Sequence, residues 1–307
     1  MATSPARRRR GGRCDARAAA FLAASALVFL APPLAARATS ASDLYYERTV
    51  MRAADARCRL FSPDVAAALA AASLQARGAA LRAGTDKRDL DAAGERAAVA
   101  AGRVGCSAPD LAVAADRVRK AFDGYARLGA MRFPGELSAW QADRNPTAQV
   151  VNRKAVDGPR WRLSEPGQWS GGGGAVTLGL AGDNAAPTVV SSESGAAMPS
   201  AAFLVLRDPA KAEAPYIDPR RRDLAGRTPP AAITRSFVAA VRESAPASLA
   251  SGGVLFAFPT AAAQALAALD PREVATVEFT YPDRPSRRAV FEVGDFAAAR
   301  AFLLARR

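Results

Sequence analysis

Cys58 and Cys106 each stand a few residues ahead of a Pro-Asp pair, Pro63-Asp64 and Pro109-Asp110, and each pair opens an alanine-rich helical stretch. Proline loses nothing at the first helical position, where its missing N–H would have had no partner, and an aspartate in the first turn complements the helix dipole. Two such joints, each with a thiol beside it, restrict the early part of the chain to helices whose connections meet if the thiols pair. Pairing depends on the compartment.

Residues 1–38 decide the compartment. Six arginines, at 7–10, 13 and 17, precede an uncharged stretch over 18–36 whose apolar centre is Phe21, Leu22, Leu27, Val28, Phe29 and Leu30. Ala36-Arg37-Ala38 then matches the A-x-A pattern of a signal-peptidase site. A spanning helix needs about 20 predominantly apolar residues, whereas this run is diluted by alanine and broken by Pro32-Pro33. The pattern predicts a cleaved signal peptide over 1–38, a mature chain that is periplasmic or secreted, and no stable membrane span after cleavage. Gly11 and Gly12 follow the arginines where a twin-arginine signal wants a hydrophobic pair, so general secretion is favoured. Cys14 lies before the apolar run, on the wrong side for lipid attachment. In an oxidising space Cys58 and Cys106 are expected to form a structural disulfide. The closed loop of about fifty residues corresponds to roughly 4 kcal/mol of chain entropy.

Composition narrows function by exclusion. The chain has no histidine, which removes Ser-His-Asp and Cys-His nucleophile arrangements and every metal site built on imidazole. Two cysteines beyond the leader cannot form a four-cysteine zinc site, and neither a metal nor a cofactor is expected. Nearly all the cations are arginine, with lysine only at 87, 120, 154 and 211, and alanine is heavily used, as in a GC-rich bacterial genome. Seven arginines and one aspartate fall within 1–38, so the whole-chain charge of +13 becomes +7 beyond the leader. A mildly basic exported protein can lean on an anionic envelope component. Nucleic acid is disfavoured by the compartment and by basic clusters without interleaved aromatics.

An α+β fold is expected, with a small antiparallel helical bundle over 42–140 and a strand-rich antiparallel module over 150–307 closed by a helix. Ser42-Asp43 offers a first cap, Ser62-Pro63-Asp64 a second, Thr85 or Asp86 a third, and the residues around Pro109-Asp110 a fourth. Leu111, Ala115, Val118, Phe122 and Tyr125 step by four, three, four and three, as a buried helical stripe should. After Asn145-Pro146 the pattern changes. Strands are expected over 160–164, 175–180, 188–192 and 202–207, a helix over 233–242, a strand over 254–258 and a helix over 260–269. Val277, Phe279 and Tyr281, then Ala289, Phe291 and Val293, alternate with polar residues on either side of a proline-rich turn. That is an antiparallel hairpin. Phe296, Ala299, Phe302 and Leu303 mark the inner face of a closing helix.

No catalytic motif emerges. The glycine run over 171–174 lacks the strand-to-helix setting of a phosphate-binding loop and reads as a connector. Arg220, Arg221 and Arg222, in a proline-rich loop over 209–230, are candidates for binding an anionic or protein partner. Trp161 and Trp169 are candidates for stacking on sugar rings. Glu136, Glu165, Glu193 and Asp183, with Trp140 near the first, are the carboxylates from which a glycoside hydrolase pair would have to come. The favoured function is therefore a non-enzymatic envelope protein that binds a partner or polymer. The alternative is a histidine-free hydrolase of envelope glycans working through paired carboxylates.

The export reading makes a direct prediction. Amino-terminal sequencing of the native protein should begin at Thr39, and a cytoplasmic chain that still starts at Met1 would contradict it.

Overall fold

The computed structural model describes residues 40–143, 149–151, 154–156, 162–166, 168–169, 175–181, 186–192, 198–218, 220, 223–245 and 252–304. The predicted leader lies outside them. Thr39–Arg307 forms one compact unit, and its composition is α+β.

Four helices come first: α1 (Ala41–Cys58), α2 (Pro63–Arg82), α3 (Lys87–Arg103) and α4 (Pro109–Ala126). Ser40, two residues before the expected cap, starts α1. Its hydroxyl accepts the Asp43 N–H at 3.1 Å while the Asp43 carboxylate accepts the Ser40 N–H at 3.3 Å, a reciprocal capping box. Asp86 caps α3 by accepting the Arg88 N–H at 2.7 Å. α2 and α4 open on their prolines, as the Pro-Asp pairs predict.

α2 is the central helix, packed against α1, α4 and the carboxyl-terminal helix. Its buried residues include Ala68, Leu69, Ala71, Ala72, Ala76, Gly78 and Ala80. Side chains this small let several neighbours approach one helix axis, although each buries little apolar area. Covalent reinforcement suits such a core. Cys58 at the end of α1 is bonded to Cys106 between α3 and α4, with Cα atoms 5.5 Å apart. The Arg57 guanidinium spans the same joint, donating to the carbonyls of Gly102 and Val104.

Strands follow α4. They are β1 (Ala130–Pro134), β2 (Ala139–Asp143), β3 (Gln149–Val151), β4 (Lys154–Val156), β5 (Arg162–Pro166), β6 (Gln168–Trp169) and β7 (Ala175–Ala181). Next come β8 (Ala186–Ser192), β9 (Ala201–Arg207), β10 (Thr234–Val238), β11 (Val241–Ser244) and β12 (Val254–Ala257). After α5 (Thr260–Ala267), β13 (Val274–Thr280) and β14 (Arg287–Glu292) form the expected hairpin, and α6 (Phe296–Leu304) closes the fold. A seven-stranded sheet has the order β1-β2-β5-β7-β8-β12-β11, and a five-stranded sheet the order β10-β9-β13-β14-β6. β3 and β4 pair separately, and every pairing is antiparallel. The two sheets share a core, in which Phe256 of β12 meets Phe279 of β13 edge to face at 6.0 Å.

Two expectations are corrected. Residues 233–242 are not helical. A short 3₁₀ turn over Ala231–Ile233 leads into β10 and β11, and the chain passes from one sheet to the other between them. The Ala239 N–H donates to Ala202 and the Ala240 N–H to Ala257, so both sheets take up backbone groups at the crossing. β-branched and aromatic residues supply the ladder on either side, and tertiary pairing overrides a weak helical period. Helix also stops earlier than Trp140: α4 ends at Ala126, and Trp140 sits in β2, 1% exposed. Among the described residues no helix is long and apolar enough to cross a membrane.

α6 lies against α2, β1 and β2. Phe302 of α6 contacts Tyr125 of α4 at 5.9 Å and Phe133 of β1 at 5.6 Å, and Ala71 of α2 belongs to the same buried cluster as the sheet residues. The closest approach is at Gly78, where an added Cβ would overlap Oδ1 of Asp295, the residue before α6. Gly124 in α4 has open space around it. Helix propensity alone would favour alanine at both places. Gly78→Ala should instead lower stability by about 2 kcal/mol through overpacking, while Gly124→Ala should raise it by about 0.5 kcal/mol. Urea unfolding of the two variants checks the opposite signs.

Candidate functional site

Charged side chains converge where β14 hands over to α6. Glu292, the last residue of β14, is fully buried. One of its carboxylate oxygens accepts the Glu136 N–H, and the other accepts Leu137 N–H at 2.8 Å, Ser138 N–H at 2.7 Å and Ser138 Oγ at 3.0 Å. The turn between β1 and β2 is thereby wrapped around a carboxylate, and charge-assisted bonds of this kind are about twice as strong as neutral ones. Gly135 is required at the rim, because a Cβ there would come within 2.6 Å of the carboxylate. Trp140 fixes the hairpin from the other side, its indole N–H donating to the Val293 carbonyl at 2.9 Å.

Further pairs extend from that centre. Glu136 points away from the turn and binds Arg227 at 2.8 Å. Arg272 makes a forked contact with Asp270 at 2.9 Å through each nitrogen. Glu273, nearly inaccessible, takes a fork from Arg207 and two backbone N–H bonds, from Tyr216 at 3.2 Å and Asp270 at 3.0 Å. Asp295 takes a fork from Arg82 of α2, one limb of it at 3.0 Å. Burial holds the Asp295 carboxyl above its ordinary range, the Arg82 contact offsets this only in part, and nearby Glu292 adds to the rise. Glu136 is held below its ordinary range by its bond to Arg227. Asp270 holds Arg272 above its own.

Acid–base or nucleophilic work needs a carboxylate within reach of a substrate. Both oxygens of Glu292, Glu273 and Asp295 already accept donors from the protein. This cluster ties the β1–β2 turn, the loop before β13 and α2 to one corner of the fold. Nothing in the sequence flags it, since its partners lie far apart along the chain. The one local hint is the Pro134-Gly135 pair, a turn signal.

A second feature borders α6. A groove of about 410 Å³ runs between α2, α5 and α6, lined by Ala67, Ala70, Leu74, Ala267, Ala297, Arg300, Ala301 and Leu304. A smaller cavity of about 50 Å³ shares Leu74, Ala267 and Ala297 with it and reaches Gly78 and Asp295. Among the described residues that line the larger groove, Arg300 is the single charged one. Its Nε is buried with no acceptor among the described residues, and burial lowers the guanidinium pKa.

The candidates from sequence are placed as follows. Arg220 is exposed, its backbone N–H donating to Asp218 at 2.9 Å, while Arg221 and Arg222 lie outside the described residues. The Trp169 backbone pairs with Ala289 at the edge of the five-stranded sheet, and Trp161 lies outside the described residues. The glycine run over 171–174, Asp183 and Glu193 are outside them too, and the Glu165 backbone lies in β5. Trp140 is a core residue. Among the described residues no group of three or more cysteines and carboxylates is placed to hold a metal ion.

No protein-family model, curated protein or solved structure matches this chain.

The Asp295 direction has a measurable consequence. With its folded pKa above the unfolded value, the folded chain binds more protons between the two, so this group adds stability as pH falls through the folded pKa and withdraws it as pH rises. Carboxyl carbon NMR should place the Asp295 midpoint above the ordinary aspartate value of about 3.9. A midpoint at or below that value would contradict the dominance of burial.

Proposed function

We propose that the protein is an exported, non-enzymatic binding protein of the bacterial envelope. The observation that carries this reading is the contrast between the two features above. The buried carboxylates are hydrogen-bonded to structural partners, while the α2–α6 groove presents apolar surface and one guanidinium whose Nε has no acceptor among the described residues. Ligand sites combine mostly apolar walls with few polar groups in this way. Export is supported by the leader and by the Cys58–Cys106 bridge, which suits an oxidising space, and the net charge of +7 beyond residue 38 suits an anionic envelope partner. Arg220, Arg221 and Arg222 remain proposed contacts for an anionic or protein partner, and Trp161 and Trp169 proposed platforms for sugar rings.

Incubation with purified peptidoglycan and with lipopolysaccharide tests the reading. Retention on at least one of them, without soluble fragments, is expected. Release of reducing sugars would overturn it in favour of the glycan hydrolase, whose carboxylates would then be sought among Glu136, Glu165, Asp183 and Glu193.

A further inference from the structure

Arg300 sets a guanidinium, whose Nε has no acceptor among the described residues, into an otherwise apolar groove. Ala67, Ala70 and Leu74 follow one another at steps of three and four on α2, and Ala297, Ala301 and Leu304 do so on α6. This spacing puts each set on a single helix face, so two stripes of small apolar residues border the groove. Arginine often lays its stem over such a surface and keeps its head in water. That explains a partly exposed guanidinium, but not an Nε that is buried without an acceptor. No acidic side chain is among the described residues that line the groove, and two acids on or beside the bordering helices are already paired. Asp295, beside the smaller cavity, is forked to Arg82, and Asp91 is bonded to Arg77 at 3.0 Å and to Lys87. A ligand that brings its own acceptor would complete the site.

We propose that this groove binds a fatty acid, with the carboxylate on Arg300 and the alkyl tail along the alanine stripes, an inference that rests on the binding reading above. The head-group choice follows from charge. A single guanidinium matches a monoanion and forms a planar fork with a carboxylate, whereas a phosphate dianion would leave one charge unmet. The tail follows from the walls, which offer methyl groups and no hydrogen-bonding partner apart from Arg300. The volume of about 410 Å³ falls within the usual range for small-molecule sites, roughly 300–1,000 Å³.

Dodecanoate titrated into the purified protein below its micellar concentration, followed by calorimetry, tests the inference. Saturable one-to-one binding is expected. Dodecanol, with the same tail and no charge, should bind about tenfold more weakly, as should dodecanoate to Arg300→Gln, since a charge-assisted hydrogen bond is lost in each case. Arg300→Lys should recover part of the loss, and Ala70→Phe should block the groove. Melting curves of each variant separate a lost site from a lost fold, and Arg300→Gln, at a partly exposed position, is the variant least burdened by folding effects. Equal affinity for dodecanoate and dodecanol, an unchanged affinity in Arg300→Gln, or no saturable binding by the unmodified protein would each overturn the fatty-acid assignment. Failure here with continued retention on peptidoglycan or lipopolysaccharide removes the ligand class alone. Release of sugars from those polymers removes the binding reading itself.

Discussion

Asp295 meets Arg82 across a glycine, and this contact sets the distance between the helices and the sheets. Gly78 has no side chain because the carboxylate occupies the space a Cβ would take. The Arg82 fork then fastens α2 to the start of α6. From there α6 spreads the contact: Phe296 meets Trp140 at 5.0 Å, and Phe302 meets Tyr125 and Phe133. A buried ion pair is a costly fastening, because the two charges must leave water, and removing one partner leaves the other stranded. The raised Asp295 pKa expresses that cost. What it secures is register, since an arginine fork admits one geometry where apolar packing admits several.

An alanine-rich helix at the centre explains the other fastenings. α2 buries many residues, but half of them contribute a single methyl group, and dispersion and transfer energy per residue are correspondingly small. The chain offsets this with specific devices: the Cys58–Cys106 bridge at one end of the helices, the Glu292 carboxylate inside the β1–β2 turn, and the Arg207–Glu273 fork under the loop before β13. Each joins segments distant in sequence. The alanine stripes on α2 and α6 also leave the groove that Arg300 lines, so the same economy of side chains shapes both the core and the proposed binding surface.

Much of the architecture is legible from local chemistry. The Pro-Asp starts of α2 and α4, the pairing of Cys58 with Cys106, the strands β7, β8 and β9, the β13–β14 hairpin and α6 are all carried by neighbouring residues. Residues 233–242 are misread because Ile233, Phe237 and Val241 recur at helical spacing, while the partners that make them strands, β9 and β12, lie outside any local window. β1 and β2 escape notice because Pro134, Gly135 and Glu136 interrupt the apolar pattern, and the interruption is the turn itself. The charged corner is invisible for the same reason. A glutamate at 292 looks like an exposed strand residue until Leu137 and Ser138 are folded against it. Arg300, by contrast, is found only once the structure shows its Nε buried without an acceptor among the described residues.

The account stands on α2 and α6 uniting helices and sheets in a single cooperative body. Differential scanning calorimetry of the oxidised protein tests this most directly. One transition is predicted, with a van 't Hoff enthalpy equal to the calorimetric enthalpy. Two separable transitions, one of them assigned to α1 through α4 by loss of helical circular dichroism, would contradict it.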